Sequence, residues 1–173
     1  MGKTKSSDTG STLTDSIRHG KGDRLLREMV HDPYKSKKKL PEPTICPECG
    51  AIFHDGRWQW AEHPSGAHET LCPACQRMRD KVPAGFLTLS GDFLAKHKEE
   101  IMNLVHNTEE REKAEHPLER IMDIEEQKEG IVVTFTGAHL ARGVGEALHH
   151  AYKGELDFVY AKEDNMLRVS WKR

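Results

Sequence analysis

Long apolar runs are missing from this 173-residue chain. No stretch approaches the roughly 18 consecutive apolar residues of a membrane span, and the opening MGKTKSSDTG holds no apolar segment of a secretory signal. Gly2 and Ser6 match the myristoylation pattern, but no second membrane signal accompanies them. Aromatic residues make up 6% and apolar residues 36%, against 31% charged. Such a chain builds a thin core and profits from a staple, a metal or a partner. Signatures of catalysis are missing too: there is no nucleophile elbow and no phosphate loop. Gly143-Val144-Gly145 is a fragment of a dinucleotide loop without its third glycine, and it falls in a helical stretch where helix–sheet packing is the simpler use. Glu146, His149 and His150 do not form HExxH and lack a third ligand. With no cysteine to spare for catalysis, these absences disfavour an enzyme, a thiol oxidoreductase included. The expected compartment is cytoplasmic and reducing, with no membrane partner.

Charge is present but unevenly placed. Residues 1–40 carry ten Lys/Arg against five Asp/Glu, while the rest of the chain carries 16 against 23. A basic arm on an acidic body points the arm at a polyanion. Residues 1–20 show no hydrophobic period and read as disordered; 23–30 could form one or two helical turns. In HDPYKSKKKLPEP, Lys35, Lys37, Lys38 and Lys39 cluster beside Tyr34, and three prolines forbid a continuous helix. Phosphate contact by these lysines, with an aromatic neighbour for stacking, is how such arms grip RNA. The plain alternative is a solvated linker. Asp123, Glu125 and Glu126 read as a solvated acidic strand edge.

The four cysteines are the strongest signal. Cys46-Pro47-Glu48-Cys49 and Cys72-Pro73-Ala74-Cys75 are two CxxC knuckles separated by 22 residues. Each knuckle turns two sulfurs to one side, and two knuckles supply the four thiolates of a tetrahedral zinc site. In a reducing compartment paired knuckles hold metal rather than disulfides. One structural Zn2+ on Cys46, Cys49, Cys72 and Cys75 is expected. Four protein ligands would leave no open position to activate water. His54, His63 and His68 lie between the knuckles but are not needed as ligands. Phe53, Trp58 and Trp60 surround an Asp55-Gly56 turn, and Trp58 and Trp60 share one face. They either cover the ribbon core or, with Arg57 beside them, form an aromatic platform for bases.

The predicted fold class is α+β. A disordered basic arm (1–40) precedes a zinc ribbon (41–82), a connecting helical segment (83–117) and a ββαββ unit (118–173). The connecting helix is expected over 92–113, capped by Ser90 or Asp92, with Phe93, Leu94, His97, Ile101, Met102, Leu104 and Val105 as its apolar stripe. In the last unit, strands over 122–127 and 131–136 flank a Lys128-Glu129-Gly130 turn. A helix follows over 138–152, capped by Thr136 and stopped at Gly154. It buries Leu140, Val144, Ala147, Leu148 and Ala151. Strands over 155–160 and 166–171 flank a KEDN turn. The result is a small antiparallel sheet with one face covered by a helix.

The CPECG and LCPAC knuckles resemble the N-terminal zinc module of the nonsense-mediated decay protein three family, archaeal and eukaryotic export adaptors of the large ribosomal subunit. The stretch IMDIEEQKEGIVVTFTGAHLARGVGEALHHAYKGELDFVY is similar to the ββαβ unit that follows there, with Gly137 to Arg142 matching its small-x-x-Leu-Ala-Arg helix start. Small bacterial proteins described as affecting ribosome stability and mRNA decay look closer still, over residues 31–173. Longer members carry further CxxC pairs and later export domains that this chain does not. The resemblance thus implies large-subunit binding rather than export, and residue by residue it implies only the four zinc ligands. A non-enzymatic ribosome- or rRNA-binding protein is expected, with Lys35, Lys37, Lys38, Lys39, Arg57, Trp58 and Trp60 as candidate RNA contacts and ribosomal proteins as further partners. The alternative is a zinc-ribbon adaptor that grips a protein through Trp58, Trp60 and the helix.

Overall fold

Asp55 and Gly56 both take positive φ, 52° and 72°, the pair of left-handed conformations that a tight two-residue hairpin turn asks for. They join β2 (Ile52–His54) to β3 (Arg57–Gln59), with Phe53 opposite Trp58. β1 (Thr44–Ile45) lies antiparallel to β2 and parallel to β4 (His68–Glu69), giving the order β3-β2-β1-β4. α1 (Pro73–Asp80) then starts inside the second knuckle, with Cys72 as N-cap and Pro73 in the first turn, where a missing N–H costs nothing. Arg77 and Arg79 sit in its last turn, favourable to the helix dipole. The computed structural model describes residues 32–35, 38–161 and 166–173, all within the unit His31–Arg173. The expected disorder over 1–20, the helical turns over 23–30, Lys37 and the KEDN turn lie outside the described residues.

The second sheet has five strands in the order β6-β7-β5-β9-β8. Its centre is β5 (Gly85–Ser90), antiparallel to β7 (Gly130–Phe135) and parallel to β9 (Met166–Lys172). β6 (Ile121–Gln127) and β8 (Glu155–Ala161) are the edges. Strand period sets the core: Leu87 lies between Val133 and Val169, and Leu89 between Ile131 and Trp171, all buried on one face. Two helices cover that face, α3 (Lys98–Glu115) and α4 (Ala138–Tyr152), after a short α2 (Asp92–Lys96).

This corrects the expected ββαββ antiparallel sheet. GFLTLS over 85–90, inside the expected connecting segment, is the central strand and makes the sheet mixed. Leu87 and Leu89 alternate with the half-buried Phe86 and the exposed Thr88, so the run is a half-buried strand in its own right. β5, α3 and β6 form a split β-α-β unit with β7 between its two strands; α4 then leads from β7 to the edge strand β8, and β9 returns from β8 to lie beside β5.

The helix expected over 92–113 is divided at His97 (φ −125°), whose ring stacks on Phe93 with centroids 4.1 Å apart. Neither Ser90 nor Asp92 caps it. The cap position is Gly91, at φ +103°, where an added Cβ would lie 2.2 Å from the Arg173 carbonyl oxygen. The helix expected over 138–152 spans those residues, but Gly137 and not Thr136 stands at its cap. The Thr136 hydroxyl is occupied elsewhere: it accepts from the Arg120 N–H (2.9 Å) and donates to the Leu118 carbonyl (2.6 Å). Ala151, expected on the apolar face, is exposed.

The expected disordered arm ends sooner than residue 40. Asp32 accepts from the buried Arg77 guanidinium (2.6 Å), and the Tyr34 ring lies over that guanidinium, 4.4 Å from its carbon to the ring centroid. The Tyr34 hydroxyl donates to Asp80 (2.9 Å). Tyr34, expected to offer a stacking group, forms part of a clasp on α1 and also lines the groove described below.

Candidate metal centre and its groove

Each knuckle brings its sulfurs inward through main-chain donors. The Cys72 N–H donates to Cys46 Sγ (3.3 Å), and the Cys75 N–H donates to Cys72 Sγ (3.4 Å). All four sulfurs lie within 4.8 Å of one another, and Cys46, Cys72 and Cys75 are buried. Cys49 and Cys72 are 3.7 Å apart at sulfur. A tetrahedron with metal–sulfur bonds of about 2.3 Å has edges of about 3.8 Å, so this separation suits thiolates sharing one ion. The cluster can hold a metal ion.

Electrostatics points the same way. Burial opposes ionisation of Cys46, but N–H groups of Cys72, Cys49 and Glu48 outweigh it and bring the thiol down to about 7. Burial pushes Cys75 up to about 11, against the lowering effect of Arg120, and pushes Cys72 higher still. Thiols this crowded cannot all ionise unless a cation neutralises them.

Part of that neutralisation comes from Arg120, just ahead of β6. Its backbone N–H is held by Thr136 and its Nε by the Pro117 carbonyl (2.7 Å). The fork then reaches Cys75 Sγ (3.4 Å) and Cys72 Sγ (3.5 Å). Burial by itself would lower the Arg120 pKa; its hydrogen bonds to the sulfurs raise it instead. Beside it Leu118 packs on the cysteine cluster. Sequence reasoning missed Arg120. A buried thiolate cluster demands a counter-charge, but nothing in HPLER marks which cation supplies it.

A groove of about 950 Å³ opens alongside. Lys35, Lys38, Lys39 and Arg57 line it and are exposed; Phe53, Trp58, Leu71 and Leu118 line it and are half-buried. Five of the seven candidate RNA contacts are thereby brought together. Trp60 is not among the lining residues: its indole N–H donates to the Lys113 carbonyl of α3 (2.7 Å), tying the hairpin to the helix. Trp58 does pack on the cysteine cluster, so its covering role and its place in the groove coexist.

Among the described residues no histidine joins the four sulfurs. A second acidic group, Glu42, His54 and Asp55, is wholly exposed. Its Glu42 carboxylate already closes the hairpin turn, accepting from the Asp55 and Gly56 N–H groups (2.9 and 3.2 Å). Glu146 pairs with Arg142 (3.0 Å), and His149 and His150 are exposed. Of the two neighbouring glycines, only Gly145 serves helix–sheet packing: a Cβ there would meet Val169 at 2.7 Å, whereas Gly143 faces open space. Also among the described residues, no helix is long and apolar enough to cross a membrane. Comparison with protein-family models, curated proteins and solved structures found no match.

Proposed function

We propose that this chain is a non-enzymatic, cytoplasmic zinc-ribbon protein that binds ribosomal RNA on the large subunit and affects the subunit's stability, assembly or activity. One observation carries the reading: exposed Lys35, Lys38, Lys39 and Arg57 line one groove with Trp58, against a ribbon built on four convergent sulfurs. Zinc is the ion that a tetrahedral four-thiolate site suits best, and with its coordination filled it acts as a scaffold rather than a reagent. The cations are placed to meet phosphates, and the aromatic group beside them gives bases a surface to stack on.

The test is sedimentation of the full chain with ribosomal particles on sucrose gradients. Each Lys or Arg that meets a phosphate releases counter-ions, so association should be present at low salt and fall steeply as salt rises. A chain that stays at the top of the gradient at low salt rules the proposal out. The protein-adaptor alternative predicts association that is indifferent to Lys35→Ala with Arg57→Ala. Trp60, one of its two aromatic anchors, is engaged on Lys113, which speaks against it. Truncation before residue 40 would not separate the two readings cleanly, because it removes the Asp32–Arg77 ion pair; the paired substitutions at Lys35 and Arg57 do, because they leave that ion pair in place.

A further inference from the structure

From the groove's lining we infer that it is a pocket for unpaired nucleotides: a base enters beside Trp58 while its phosphates lie on Lys35, Lys39 and Arg57. The inference rests on the RNA-binding reading above and narrows it to single-stranded or bulged RNA. Four observations support it.

First, charge in the groove is one-sided. Its acidic members are already engaged: Asp32 accepts from Arg77 (2.6 Å) and from the Tyr34 N–H (2.9 Å), and Glu119 accepts from the Leu140 N–H (3.0 Å). What faces a ligand is therefore a set of exposed cations. Second, chemistry changes with depth. Beside the exposed cations lie half-buried Trp58 and Leu118 and the buried Pro117, a combination that matches a charged backbone carrying flat apolar bases. Third, Trp58 is held: it faces Phe53 across the hairpin in an edge-on contact at 5.6 Å. A ring fixed beforehand loses little freedom when a base stacks on it. Fourth, the volume of about 950 Å³ is near the top of the roughly 300–1,000 Å³ range of small-ligand pockets. A pocket is a shape that admits a base swung out of the stack and refuses the continuous ridge of a duplex.

The experiment uses the zinc-loaded full chain and a labelled ten-nucleotide RNA of mixed sequence. Binding is read by fluorescence anisotropy with the strand alone, with the strand annealed to its complement, and with oligoglutamate as competitor. The single strand is expected to bind at least about tenfold more tightly than the duplex. Trp58→Leu should weaken the single strand by about 5- to 150-fold, the contribution of one stacked base, and leave the duplex unchanged. Trp58→Phe should recover part of the loss. Lys35→Ala with Arg57→Ala, both at exposed positions, should lower the slope of log affinity against log salt by about 1.4 for single-stranded RNA. Zinc content and circular dichroism identify a variant that has merely unfolded.

Equal affinity for strand and duplex would overturn the inference, as would wild-type binding by a folded Trp58→Leu chain. Displacement of RNA by oligoglutamate at matched charge would reassign the groove to acidic peptides. If any of these occurs while the wild-type chain still sediments with ribosomal particles, the groove proposal fails and the ribosomal one stands. If the wild-type chain binds neither oligonucleotides nor particles, both fail.

Discussion

Four thiolates around a divalent ion carry a net charge of −2, and Arg120 places a guanidinium against two of the sulfurs. Partners of this kind orient ligands and tune metal affinity, and losing one typically costs 10- to 100-fold. Arg120→Met should therefore release zinc to a competing chelator about 10- to 100-fold more readily. Arg120→Lys should fall between, keeping the charge but not the fork. Glu119 makes a second residue-scale test. Burial raises its pKa, against the lowering effect of the Leu140 N–H, so the folded chain holds this proton more tightly than the unfolded one. Its stabilising contribution is full below the unfolded carboxylate value of about 4.3, and is lost as pH rises through the raised value. Urea titrations of Glu119→Gln should show that this pH dependence has flattened. Glu119→Ala also strips the first turn of α4 of an acceptor and should cost about 1 kcal/mol at neutral pH. The cysteines were legible in the sequence because each pair is local, three residues apart. Arg120 was not, because it reaches Cys75 from 45 residues away and no local pattern encodes that distance.

Two neighbouring glycines give opposite expectations for α4. Gly145 faces Val169 and Leu156, where an added Cβ would sit at 2.7 and 3.1 Å. Gly145→Ala should destabilise by about 1–3 kcal/mol through overpacking. Gly143 faces open space, so Gly143→Ala should stabilise by about 0.5–1 kcal/mol through helix propensity. Chemical denaturation of both variants checks the pair, and a loss at Gly143 equal to that at Gly145 would contradict the packing account. Elements with a strong period were readable: α4 occupies the expected residues, and β6 to β9 lie within a residue of expectation at each end. β5 was not recognised, because a six-residue alternation ahead of a helix looks like a lead-in until its partners are known. Those partners, β7 and β9, are remote in sequence. The helix caps failed for a related reason. Thr136 was claimed by Arg120 and Leu118, contacts that local rules do not see.

Among the described residues there are two cores, one of cysteines and alanines and one of aliphatic and aromatic side chains around Trp171. Of these two, the first contains the four cysteines that could hold a metal ion. Stripping zinc with a chelator should unfold residues 44–80 while β5, β7 and β9 keep their protection, as hydrogen exchange can show. Structural zinc contributes about 10–16 kcal/mol to such modules, so the ribbon has little to fall back on without it. Global unfolding on chelation would mean that the cores are a single cooperative unit. The central position of β5 also has a consequence in time. Ribbon pairings are short in sequence, whereas β5 waits for β7 and then for β9, a parallel partner about eighty residues on. Distant pairing is slow, and a growing chain folds from its N-terminus. As synthesis proceeds, the ribbon is therefore the first part able to fold. Leu118 and Arg120 dock on it next, and Trp171 closes the sheet after them. Until β9 has emerged, one edge of β5 stands bare whether or not the ribbon holds a metal, so chains stopped before residue 166 should aggregate even where metal is plentiful.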